Sequence, residues 1–231
     1  YNILSIAYQR KGENYKSIEL LINAIKKSPK NIFLLNNLGT SYYNIKNFSE
    51  AVKAVEDKKY TLASDLFEPL AINGDIDAQY NLSILIRNGL GRPQNFSVSL
   101  KWAWLSYTGG FEKAKSVLID KLLEYVPAEN LEEIRKDVSN FILDSINRGD
   151  RDSLKQIGKF YLEVLEEPNY EKAYLFYSIA VAFGNTEIKS LRDELLENID
   201  GDNIINIQTI TNEFFEILRQ GDKITLKQLD W

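Results

Sequence analysis

Gly149-Asp-Arg-Asp-Ser-Leu-Lys-Gln-Ile157 returns 72 residues later as Gly221-Asp-Lys-Ile-Thr-Leu-Lys-Gln-Leu229, and Gly74-Asp75 stands 75 residues before the first of them. The agreement extends beyond this stretch. Asp120, Leu122, Leu123, Glu124, Asn130 and Phe141 recur 73 residues on as Asp193, Leu195, Leu196, Glu197, Asn203 and Phe214. A fixed period marks a supersecondary unit stacked on copies of itself. In each Gly-Asp the glycine is expected to end one helix and the aspartate to favour the start of the next. The expected architecture is a repeat array rather than a globule around one pocket.

Composition narrows the function classes. A net charge of −5, with Lys and Arg scattered along the chain, argues against nucleic acid as the main ligand. No apolar run approaches the roughly 18 residues that would span a bilayer, so no membrane insertion is expected. Cysteine and histidine are both absent. That removes disulfides, thiolate metal sites, the commonest general base and the usual pH switch. Methionine is absent too, so the chain, starting at Tyr1, is expected to be a processed product or a fragment. The compartment stays open between cytoplasm and periplasm for a soluble chain, because a signal or anchor would lie outside this sequence.

Residues 1–52 carry a second period of 34. Leu4-Ser5 and Tyr8 recur as Leu38-Gly39 and Tyr42; Asn14-Tyr15 corresponds to Asn47-Phe48. Ser5 and Gly39 are small enough to let two helices approach, with the aromatics filling the gap beside them. Pro29 sits where one helix must stop before the next begins. This stretch, and Asn37 to Ala51 above all, resembles the tetratricopeptide repeat, with Phe48 and Ala51 opening the second helix of the pair. Residues 53–231 follow a longer pattern. Ala78, Leu82, Gly89, Gly91, Trp102, Gly110 and Ala114 resemble a Sel-one-like repeat in which Ser83, Ile86 and Ser99 depart from the family's residues. A second copy runs through Ile157-Gly158, Tyr161, Lys172-Ala173, Phe176 and Gly184, with Glu163 to Pro168 in place of the glycine turn.

Extra helical segments are expected at about Lys115 to Tyr125 and Leu131 to Asn147, echoed at Lys189 to Asn198 and Ile204 to Gln220, with Asn130 and Asn203 as N-caps. Two four-helix units follow, about 75–149 and 150–221, with Lys223 to Trp231 starting a third. Ser49 to Lys59 reads both as the close of the tetratricopeptide pair and as the partner of the helix ending at Gly74. Either one helix is shared, or residues are missing near 52–58; an even helix count favours the second. The fold class expected is all-α, and the resemblance implies an α-solenoid, a right-handed superhelix of antiparallel helix pairs.

No phosphate-cradling loop is present. Gly89-Leu-Gly91 is read as a turn needing positive φ, and Asp200 to Asn203 is too short for a calcium loop. Acidic clusters such as Glu163/Glu166/Glu167 are read as solvated faces and caps. No catalytic residue, cofactor or metal is assigned. Trp102 is placed in the core, whereas Trp104, two residues on, is expected to be exposed. The tetratricopeptide resemblance implies a partner groove lined by Asn2, Ile6, Gln9 and Arg10, then Phe33, Asn36, Thr40, Tyr43 and Asn44. The same offsets give Tyr80, Ile84, Arg87 and Asn88, then Lys155, Lys159 and Leu162. Mixed apolar, amide and cationic groups suit a protein partner, as extended peptide or helix. The function expected is a non-catalytic interaction scaffold. The alternatives are a structural subunit of a larger complex, such as a bacterial cell-envelope assembly covering Trp104 or Trp231, and the helical appendix of a larger enzyme.

Overall fold

The computed structural model describes residues 1–10 and 13–229, the side chains of residues 2, 3, 7 and 10 excepted. All regular structure among them is helical, without a strand. The α-helices are α1 (Asn2–Arg10), α2 (Asn14–Lys27), α3 (Ile32–Glu56), α4 (Tyr60–Ile72), α5 (Ile76–Arg87) and α6 (Phe96–Thr108), followed by α7 (Asp120–Leu122), α8 (Ala128–Asn147), α9 (Ser153–Glu163), α10 (Tyr170–Ala182), α11 (Lys189–Glu194) and α12 (Gly201–Gln220). A π-helical turn, Lys115–Ile119, leads into α7, and short 3-10 turns flank α11. None of these helices is long and apolar enough to cross a membrane.

The chain forms two compact units, 1–134 and 135–231. In the first, α1 to α6 pack each on the next, and α1 also meets α3. In the second, α10 is central: α9, α11 and α12 all pack against it.

Several helix ends share one backbone device. Gly74, Gly149 and Gly221 have φ of 92°, 91° and 85°. Each time the following Asp N–H reaches back to the carbonyl five residues earlier, Leu70, Ser145 or Ile217, at 3.0 Å. That is a Schellman turn, with the left-handed residue wrapping the chain over the last carbonyls of the helix. Asp75 then caps α5 by accepting from the Ala78 N–H, and Asp150 accepts from the Ser153 hydroxyl.

The tetratricopeptide-like stretch differs from expectation. The helix pair foreseen around Asn47-Phe48 is one unbroken 25-residue helix, α3. No Gly or Pro separates Asn44 from Ser49, so nothing interrupts the hydrogen-bond ladder. The turn comes later, at Lys58, with φ 60°; Lys59 N–H bonds to the Ala54 carbonyl as the Asp does in the Gly-Asp turns. The double reading of Ser49 to Lys59 therefore resolves as a shared helix: α3 packs on both α2 and α4, and Lys58 and Lys59 connect it to α4 without a gap. Gly39 has open space where a Cβ would stand, so it brings no helices together.

Two helix starts also shift. Asp200, not Asn203, caps α12, accepting from the Asp202 N–H, while the Asn203 amide donates to Glu171. Asn130 lies inside the first turn of α8. In both cases the break is sharper than the sequence pattern suggests, and the helix begins as soon as the chain leaves it.

The small residue expected after the first Leu or Ile of each long copy does govern packing. In the first unit Ser83 and Ser99 exchange hydroxyl-to-carbonyl hydrogen bonds at 2.8 and 2.9 Å, joining α5 to α6. In the second, Gly158 faces the Tyr177 ring, and a Cβ there would lie 2.2 Å from Tyr177 Cε1. Tyr177 is fully buried and has nowhere to move. Gly158→Ala is therefore expected to lower stability by about 1–3 kcal/mol through overpacking, read as a lower denaturation midpoint. Lys58→Gly is expected to act oppositely, gaining up to about 1 kcal/mol by removing left-handed strain from a side-chain-bearing residue.

Candidate functional site

The groove positions expected from the sequence divide sharply once the helices are in place. On α3, Phe33, Asn36, Thr40 and Tyr43 follow one another at steps of three, four and three, so they form one stripe. All four are exposed, Phe33 at 72% and Tyr43 at 63%. The Thr40 hydroxyl donates to the Asn36 carbonyl, which leaves the two aromatic rings as the stripe's outward contact groups. Exposed Ile32, Leu35 and Tyr42 widen the apolar surface of the same helix. Sequence reasoning missed these three because it carried over only the family's groove offsets.

Gln9 and Asn44 do not belong to this surface. The Gln9 amide donates to the Asn37 carbonyl and the Ser41 hydroxyl, both at 2.7 Å. Ser41 in turn shares a 2.8 Å hydrogen bond with Ser17 on α2. Asn44 is buried and points toward Asn14. The cause is the packing of α1 and α2 on α3, which turns the expected lining positions into a polar seam among three helices. The side chains of Asn2 and Arg10, and the whole of Trp231, lie outside the described residues.

On α5, Tyr80 and Ile84 are half-buried, and the Tyr80 ring packs on Phe111 with centroids 4.5 Å apart. Arg87 is half-buried, and Asn88, exposed, ends the helix. The Gln94 amide donates to the Arg87 carbonyl at 2.6 Å, fastening the Gly89-Leu-Gly91 turn. Both glycines of that turn have positive φ, and Gly91 lies so close to the Tyr60 carbonyl that no side chain fits. This is the structural turn the sequence suggested. The second copy closes its different loop with the same bond: the Asn169 N–H donates to the Tyr161 carbonyl, as the Asn95 N–H does to that of Ile86. On α9, Lys155 is exposed and Lys159 half-buried, one turn apart.

Trp104 is a correction. It is only 3% exposed, and Trp102 on the other side of α6 is buried as well. The helix is covered on two sides, by α5 and by the Lys115–Leu122 segment, so helical spacing gives no free face here.

A second candidate region lies in the second unit, among residues the sequence reading assigned to no site. A cleft of about 350 Å³ opens among α10, Arg192 of α11 and α12. Ile179, Ala182 and Phe215 give it apolar walls; Tyr174, Ser178, Gln208, Thr211 and Asn212 supply hydroxyls and amides. Arg192 donates to Asp193, which Lys189 also contacts, so two cations share one carboxylate at the edge of the cleft. The signal that could have revealed this cleft is a comparison of α10 with α6.

Among the described residues no three acidic side chains gather as a metal site. The most displaced carboxyl is that of Asp75, pushed up to about 6 chiefly by burial, with the Ala78 N–H opposing and Asp77 adding to the rise. It serves as a helix cap, with its hydrogen bond made inside the fold. No protein-family model matches this chain, and neither a curated protein nor a solved structure matches it.

The raised carboxyl has a pH consequence. The folded state binds this proton more tightly than the unfolded chain does, so the group's contribution to stability falls as pH rises from about 4 to 6. Asp75→Asn keeps an acceptor for the cap and removes the titration. The difference in unfolding free energy between this variant and the wild type is expected to grow, in the variant's favour, by about 2–3 kcal/mol across that interval. Denaturant titrations at a series of pH values measure it.

Proposed function

We propose that this protein is a non-catalytic interaction scaffold that captures a protein partner, an amphipathic helix or an extended peptide, on the exposed face of α3. The observation that carries the reading is the stripe of Phe33, Asn36, Thr40 and Tyr43. Two large aromatic rings stand in solvent with an amide and a threonine between them. Leaving such rings exposed forgoes about 1.5–3 kcal/mol each relative to full burial, so covering them favours association. Aromatic residues ringed by polar groups are the anchors that dominate protein–protein binding. Tyr80, Ile84, Arg87 and Asn88 on α5 are assigned to the same partner; in the second unit, taken by itself, Lys155 and Lys159 on α9 offer positive charge to an acidic segment.

The resemblance to tetratricopeptide and Sel-one-like repeats supports this reading. Under it the helix pairs belong to an α-solenoid, a right-handed superhelix whose first helices line the concave side. The absence of histidine and cysteine from the sequence supports a non-catalytic role. A permanent place in a larger assembly is the second reading. It is favoured by the additional exposed apolar groups Ile32, Leu35, Tyr42 and Tyr15, which a transient partner on one stripe leaves uncovered.

The test replaces Tyr43 by a photo-crosslinking phenylalanine in the full chain and identifies by mass spectrometry what it captures in native extract. A purified partner is expected to lose at least tenfold in affinity for the Phe33→Ala/Tyr43→Ala double variant, with the melting temperature within about 2 °C of wild type. Unchanged affinity would overturn the α3 assignment. A chain that stays soluble only together with the captured protein would establish the permanent-subunit reading instead.

A further inference from the structure

Helices α6 and α10 are equivalent members of the two long copies. Each has 13 residues. Each is capped by an asparagine, Asn95 or Asn169, and followed by a positive-φ glycine, Gly110 or Gly184. These landmarks all stand 74 residues apart, which pairs Trp102 with Phe176 and Trp104 with Ser178. The first pair is conservative, since both side chains are aromatic and both are buried. The second exchanges the largest side chain for one of the smallest.

The cleft lies where that exchange falls. Trp104 fills its surroundings in the first unit. In the second, Ser178 lines a space of about 350 Å³, and its hydroxyl is buried with no hydrogen-bond partner. A large-to-small change in a packed interior leaves a vacancy unless its neighbours collapse into it. A buried hydroxyl without a partner is unfavourable until something supplies one.

We propose that this cleft receives a tryptophan side chain from an uncharged peptide segment of a partner, which occupies in the second unit the place Trp104 occupies in the first. An indole is the missing shape, and its N–H, a donor only, suits the Ser178 oxygen as acceptor. Ile179, Ala182 and Phe215 form the apolar walls for the ring. At the cleft, the exposed amides of Gln208 and Asn212 each offer a donor and an acceptor, which matches peptide backbone. The remaining lining groups are uncharged, and Arg192 already spends hydrogen bonds on Asp193. The site belongs wholly to residues 174–215 and stands independently of the α3 surface.

The probe is N-acetyltryptophanamide, which carries the indole between two amides and no charge. Titrated into the isotopically labelled full chain, it is expected to shift the amide resonances of Ser178, Ile179, Gln208 and Asn212 and to saturate in the low millimolar range. N-acetylalaninamide is expected to shift none of them. Ser178→Trp supplies the missing ring from within, so it should abolish the response and raise the melting temperature above wild type. Should that variant not fold, Gln208→Ala/Asn212→Ala, altered only at exposed side chains, is expected to weaken the probe at least fivefold. Phe33→Ala/Tyr43→Ala should leave probe binding unchanged. A wild-type chain whose α10 and α12 resonances do not respond, or a Ser178→Trp or Gln208→Ala/Asn212→Ala chain that binds with undiminished affinity, overturns the proposal.

Discussion

The left-handed turn that ends the helices is the constraint from which the rest of this structure follows. One residue with positive φ lets the next N–H reach the carbonyl five positions back, closing the helix and reversing the chain within three residues. Where the next helix follows at once, as α5 follows α4 past Gly74, the two pack against each other. At Lys58 the same turn forms without glycine, which shows that the backbone geometry is fixed by the packing of α3 and α4 and not by residue choice alone.

Within that frame, the same helix–helix contact is closed by different chemistry in the two long copies. Ser83 and Ser99 join α5 to α6 through paired hydroxyl bonds, whereas Gly158 gives way to the Tyr177 ring between α9 and α10. Both solutions need a small residue at the crossing. They differ in whether the gap is bridged by polar atoms or filled by an aromatic side chain. The interior position of Trp104 and Ser178 shows the same freedom carried further, since the second copy leaves the volume open.

Much of this was legible in the sequence. The all-helical class, the Gly-Asp turns and the extra segments after the helix pairs α5–α6 and α9–α10 could be read from spacing, because glycine at a left-handed position and apolar residues at helical intervals are local signals. Offsets carried over from a repeat family fall on exposed side chains at Phe33, Asn36, Thr40 and Tyr43 of α3. They failed at Gln9 and Asn44, whose side chains are consumed by a seam that exists only because α1, α2 and α3 meet. They failed at Trp104 for a related reason: helical spacing says which residues share a face, not how many faces are covered. The unbroken α3 was hidden by a motif match that outweighed a simpler local fact, the lack of any helix breaker between Asn44 and Ser49.

The seam beneath α3 has a dynamic consequence. Ser17, Ser41, Gln9, Asn14 and Asn44 are buried together where a helical cluster would ordinarily gather leucine and valine; the apolar contribution there comes mainly from Leu21, Ala24 and Leu34. Hydrogen bonds exchanged for those with water contribute far less net free energy than equivalent apolar burial. The part of α3 that meets α1 and α2 is therefore expected to open at a lower free energy than the α5–α6 core. The helix that carries the most exposed aromatic surface thus rests, at that end, on polar contacts more than on apolar ones.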